Sequence, residues 1–152
     1  MKKNVLILIL SVFFLSCSSD DDDTTSTTPI DSYLIGKGDL SGTGAEGVEF
    51  QKRVISDNET WMTLIDKMDS VNDVSSNFSE KDVDFSKYMI IVYIGDVNSS
   101  GGGSNYEVSI YSDSQSIFVE MTQDISENTT TALSQPFYLA KIDKSEKEVV
   151  FK

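Results

Sequence analysis

The sequence predicts an α+β domain: one N-terminal amphipathic helix packed on a mainly antiparallel β-sheet. Three observations carry that expectation. A capping signal at Ser56 to Glu59 opens a stretch whose apolar residues recur at helical spacing. The continuous apolar run Tyr88 to Ile94 has the character of a strand buried on both faces. Short alternating segments separated by turn residues follow it, as in antiparallel sheets.

The elements follow in order. Lys2 and Lys3 precede an apolar run from Val5 to Leu15, and Phe14-Leu15-Ser16-Cys17 comes next. A positive start, about eleven apolar residues and a small residue before the cut make a secretory signal. The run is too short to span a bilayer, which takes about 20 residues. Its end is similar to a bacterial lipobox, so Cys17 is the expected lipidation site and residues 1–16 the signal peptide. Three acyl chains on such a cysteine hold firmly, because two already give stable anchoring. Residues 17–30 form a tether, with the acidic run Asp20 to Asp23 and the threonines Thr24 to Thr28. The run reads either as a solvated spacer extended by self-repulsion or, by its likeness to surface lipoproteins of Bacteroidetes-type bacteria, as a display signal.

Residues 31–152 read as the folded domain. Ser32 to Asp39 is an edge strand, Gly42 to Gly47 a turn and Glu49 to Ile55 a strand. Ser56 caps a helix from Asp57 to about Ser70, with Glu59 reaching back. Trp61, Leu64, Ile65 and Met68 form its apolar stripe, and Trp61 reads as a core anchor. Val71 to Phe85 is irregular and pinned by Phe78 and Phe85. Gly95 to Ser104 is a loop, and Tyr106 to Tyr111 a strand with Tyr106, Val108 and Ile110 on one face. Asp113-Ser114 turns into a strand from Ser116 to Thr122. After a polar loop, Pro136 to Ile142 and Glu148 to Phe151 close the chain as strands.

Composition then narrows the function. The chain has no histidine, one cysteine and a formal charge of −13. Ser-His-Asp and Cys-His catalytic sets, an internal disulfide and a His- or Cys-rich zinc site are excluded. The acidic balance argues against nucleic acid. Asp82 and Asp84, or Glu146 and Glu148, have strand-like spacing but read as solvated charges rather than catalytic pairs. Gly101 to Gly103 leads into a strand, so it lacks the helix terminus that a phosphate loop uses. The chain is expected not to be an enzyme and to need no cofactor.

The order of pieces resembles the PrcB family, named for a subunit of a bacterial protease complex. Ile55-Ser56-Asp57-Asn58-Glu59-Thr60-Trp61 resembles its helix opening. Val83-Asp84-Phe85-Ser86-Lys87-Tyr88-Met89-Ile90 resembles its lead into the central strand, and Ser134-Gln135-Pro136-Phe137-Tyr138-Leu139 its final strand. The resemblance spans Glu49 to Phe151 and implies assembly with, or stabilisation of, a protease. The family's compact Thr-Gly-Gly-Tyr turn is replaced here by Ser99 to Tyr106, which separates the glycines from Tyr106.

The loop from Asp96 to Tyr106 is the expected partner-binding element, with Asp96, Asn98, Ser100, Gly101, Gly102, Gly103 and Tyr106 as its candidate residues. Glycines allow close approach to a partner's backbone, and loops on a rigid sheet commonly carry binding. Asp96 to Glu107 also fits the spacing of an EF-hand calcium loop. Its flanks read as strands and its eighth position is Gly103, so no metal is expected. The function expected is a lipid-anchored accessory protein of the cell envelope, at the outer membrane and surface-exposed, that engages a protease or another envelope complex. The alternatives are a surface ligand-binding lipoprotein, for glycan or calcium, and a protease-inhibitor-like module. Exposed faces of Tyr33, Tyr93, Tyr111 and Tyr138 would favour a glycan.

Overall fold

In a computed structural model the residues described are 26–97, 106–123 and 133–152. Among these residues eight strands are joined by a single α-helix and one 3-10 turn: β1 Thr28–Pro29, β2 Tyr33–Ser41, β3 Gln51–Ile55, α1 Asn58–Met68, the turn Val74–Asn77, β4 Tyr88–Ile94, β5 Tyr106–Ser112, β6 Ser116–Gln123, β7 Ser134–Asp143 and β8 Glu148–Phe151. The strands form two four-stranded sheets: a central one in the order β2-β7-β4-β3 and an outer one in the order β1-β5-β6-β8. Among the described residues strands account for 47% and helical turns for 14%. This corrects the α+β expectation. The fold is mostly β, built on two sheets, and its helix follows β3 rather than lying at the N-terminus.

The physical reason lies in β4. Its side chains alternate between two cores, as successive strand residues must. Ile90, Val92 and Ile94 join Trp61, Leu64, Ile65 and Met68 under the helix. Met89 and Ile91 point the other way and pack with Ile110, Ile117, Val119 and Ile142 against the outer sheet. A strand apolar on both faces needs cover on both, and one eleven-residue helix covers only one. The molecule is therefore three layers: helix, central sheet, outer sheet.

Local chemistry starts and stops the elements. Helix α1 is capped by Asp57, not Ser56: its carboxylate accepts from the Thr60 amide at 2.8 Å and the Thr60 hydroxyl at 2.9 Å. Aspartate is as good a cap as serine, and its second oxygen gains the hydroxyl as well. Trp61 is fully buried, and its indole donates to the Lys81 carbonyl at 2.8 Å, so its polar atom is satisfied where the ring is buried. Phe78 stacks on Trp61 with ring centroids 6.2 Å apart and meets Phe137 at 6.0 Å, which pins the irregular stretch before β4.

The pairings are antiparallel except that β8 runs parallel to β6. Asp113 makes the β5–β6 turn by accepting from the amides of Gln115 and Ser116, each at 2.7 Å. Thr28 and Pro29 pair with Ser112 and Tyr111, and Ile30 packs into the second core, so the last part of the expected tether is a strand of the outer sheet.

Candidate functional site

Strand register brings several loops to one end of the molecule. Ser41 at the end of β2 lies opposite Ser134 at the start of β7, and Ile94 at the end of β4 lies opposite Gln51 and Phe137. In the outer sheet Tyr106 opens β5 opposite Gln123, the last residue of β6. The two sheets meet here through Tyr93 and Tyr106, whose ring centroids are 5.3 Å apart.

A buried amide braces this end. Gln135 is 1% exposed, and its side-chain nitrogen donates to the Val48 carbonyl at 2.7 Å and to the Gly95 carbonyl at 3.1 Å. One side chain thereby ties β7 to the segment before β3 and to the segment after β4. Two tight turns carry the chain from β2 toward β3, closed by Gly44 donating to Ser41 and Gly47 to Gly44, each at 3.0 Å. Glu46 folds back beneath them, almost fully buried, and accepts from the Ser41 amide at 2.7 Å. A Cβ on Gly42 would stand 2.0 Å from the Leu133 backbone carbon, so only glycine lets these segments pass.

On this frame three large apolar side chains are exposed: Phe50 at 49%, Val97 at 45% and Leu133 at 49%. Phe50 meets the Tyr93 ring edge-on at 6.4 Å, and Val97 lies over Gly44. Asp96 beside them is exposed. Burial, then the hydrogen bond with Tyr106, pushes the Tyr93 phenol well above its ordinary value. It stays protonated across the physiological range and serves as a neutral polar edge.

Of the sequence-predicted loop, Asp96 and Tyr106 come together around Tyr93, with Tyr106 half-buried. Asn98, Ser100, Gly101, Gly102 and Gly103 lie outside the described residues, as do Cys17 and residues 1–16. The stretch from Asp96 to Glu107 starts just after β4 and ends inside β5, where Glu107 is exposed, Tyr106 meets Tyr93 and Val108 packs on the second core. Asp82, Asp84, Glu146 and Glu148 are all exposed.

The four candidate sugar-stacking rings do not form one platform. Tyr33 is exposed, but Tyr93 is 7% exposed and Tyr138 half-buried. Tyr111 stacks on Phe118 on the outer sheet, with the Lys152 ammonium lying over both rings. Sequence reasoning missed Phe50, Val97, Leu133 and Gln135. A usable signal existed for two of them: Val97 and Leu133 are large apolar residues set in polar loops, where a core role has no periodicity to support it. The chain matches no protein-family model, no curated protein and no solved structure with which it was compared.

Proposed function

We propose that this chain is a lipid-anchored binding protein of the cell envelope, held at the outer membrane through Cys17, that engages a protein partner with its loop end. The observation that carries the reading is the exposure of Phe50, Val97 and Leu133 on a frame braced by Gln135. Exposed apolar groups on a rigid surface gain free energy from burial against a partner without a matching loss of chain entropy. The resemblance to the PrcB family supplies the partner class, a protease or another envelope complex. The strongly acidic chain favours a partner with a basic face through electrostatic steering.

The test is affinity capture from native membranes at low and high salt, with partners identified by mass. Val97→Asp and Phe50→Ala should each lose the partner while the melting temperature changes little. Cys17→Ala should leave the membrane fraction or remain uncleaved. Equal recovery of every partner from parent and both loop-end variants would remove this end from the function. A Cys17→Ala protein that fractionates and migrates as the parent does would remove the anchor.

A further inference from the structure

The outer sheet ends in an open edge. β8 is the last strand in its order, so one side of it pairs with β6 and the other has no strand beside it among the described residues. The Lys152 amide donates to the Val119 carbonyl at 2.9 Å, so Lys152, and with it Val150 and Glu148, turns its backbone groups toward β6. Val149 and Phe151 therefore point their N–H and C=O groups away from the sheet. Among the described residues no hydrogen bond reaches those four groups.

Side-chain burial marks the same edge. Ile117 and Val119 of β6 are buried in the second core, whereas Val149 and Phe151, one strand further out on that core, are only half-buried. Val54 of β3, which packs on the core from the central sheet, is half-buried too. At the opposite edge of the outer sheet β1 lies along β5, Ile30 packs into the core, and Ile110 is buried. Natural sheets guard a free edge with proline, a bulge or an inward-pointing charge. β8 has none of these: it reads Glu148-Val149-Val150-Phe151, and its register to β6 is unbroken.

The edge is complementary to itself. Antiparallel pairing with β8 of a second copy, with Val150 on the two-fold axis, sets Val149 opposite the copy's Phe151 and Glu148 opposite its Lys152. Both outward-facing residues then exchange N–H···O=C bonds, and each such pair is made twice across the axis. Valine against phenylalanine is a favourable cross-strand pair on the core face, and opposite charges flank Val150 on the other face. Glu148 and Lys152 take part in no ion pair among the described residues, so neither gives one up. Lys152 rests its ammonium on the Tyr111 hydroxyl at 2.8 Å and is exposed, so a carboxylate can reach it. A slip of two residues would set Glu148 against Val150 and Phe151 against Lys147, losing both side-chain matches.

We infer that this chain forms a two-fold dimer by joining its β8 edges, which makes the two outer sheets one continuous eight-stranded sheet. The inference uses neither the loop end nor Cys17. A four-residue ladder falls short of the roughly 1,000 Å² of a standing interface, so association is reversible and depends on concentration. β8 runs parallel to β6, which ends at the loop end, so the two loop ends point in opposite directions and both stay free.

Cysteine cross-linking in native membranes tests the register. Val150 would face its own counterpart in a non-hydrogen-bonded pair, with Cα atoms about 4.5 Å apart, inside the disulfide range of about 4.4–6.8 Å. Val150→Cys should run as a reducible homodimer on a non-reducing gel, well above the level given by the parent with its single Cys17. Glu148→Cys should stay at the parent level, because that residue lies about 14 Å from its own counterpart. In sedimentation of the purified full chain, the parent should show a monomer–dimer equilibrium. Val149→Pro removes an N–H that the fold leaves unused, and Val150→Lys sets two like charges face to face. Each should weaken dimerisation about tenfold or more, and Val150→Lys decides the matter if Val149→Pro fails to fold. Val97→Asp at the loop end should dimerise as the parent does, which separates this inference from the proposed partner site. The inference is overturned if the parent stays monomeric at every concentration, or if Val150→Cys gives no more homodimer than the parent or cross-links to another envelope protein instead. It is equally overturned if Glu148→Cys cross-links as well as Val150→Cys, or if Val150→Lys dimerises like the parent.

Discussion

Three aspartates hold turns and the helix start through backbone amides, and their acidity records it. Asp57 accepts from Thr60, Asp113 from Ser116 and Gln115, and Asp84 from Ser86, with Lys87 pairing to Asp84 at 3.0 Å. The hydrogen bonds from Ser86, then Lys87, hold the Asp84 carboxyl down at about 2 against an ordinary value of 3.8. A depressed carboxyl contributes stability that is complete above its unfolded value and is lost as pH falls through its folded one. The melting temperature should therefore fall on acidification from about pH 4 toward pH 2. Asp84→Asn keeps an acceptor oxygen but cannot titrate, so it should flatten that acid limb. An unchanged limb in melts recorded at half-unit steps would sever Asp84 from it. Trp61 works at the same scale by size. Trp61→Ala should cost about 3–5 kcal/mol in urea unfolding, the range for emptying a large aromatic site, and a loss below about 1 kcal/mol would contradict its burial.

At the scale of elements, legibility follows the range of the cause. Helix α1 was readable because its stripe and its cap are written within a few residues, although the cap fell on Asp57 rather than Ser56. β4 was readable because seven successive apolar or aromatic residues admit no solvent face. β1 was not, since Thr28 and Pro29 owe their strand geometry to β5, some eighty residues on. Close packing between elements offers a direct check. A Cβ on Gly36 in β2 would lie 2.6 Å from Phe78 Cδ1, and the Phe78 ring is held by Trp61 and Phe137. Gly36→Ala should cost about 1–3 kcal/mol through overpacking. Phe78→Leu in the same chain should recover part of that loss in chemical denaturation, and strictly additive losses would mean the ring is not the obstacle.

For the whole molecule, the alternation along β4 joins two cores through one strand. Ile90 faces the helix layer and Ile91 the outer sheet, both with no exposure. Ile90→Ala and Ile91→Ala should each cost about 2–5 kcal/mol, and each variant should still unfold in one transition by fluorescence and circular dichroism. A separate early transition in Ile91→Ala would show that the outer sheet melts on its own. The two-sheet architecture itself escaped the sequence because period-two alternation says that one face is buried without saying what buries it.

β1, the two-residue strand at the end of the expected tether, gives the fold a mechanical character. If Cys17 holds the chain as proposed, tension arriving at Ser26 meets two paired residues and the bond from Ile30 to the Ile110 carbonyl. Beyond it stands β2, matched to β7 from Tyr33↔Lys141 to Ser41↔Ser134. Under load the short strand peels first and pays out slack, while the long ladder and the loop end stay in register. With the proposed anchor at Cys17, β1 would act as a shock absorber, and a partner held at the far end would feel a sudden pull only after β1 had let go.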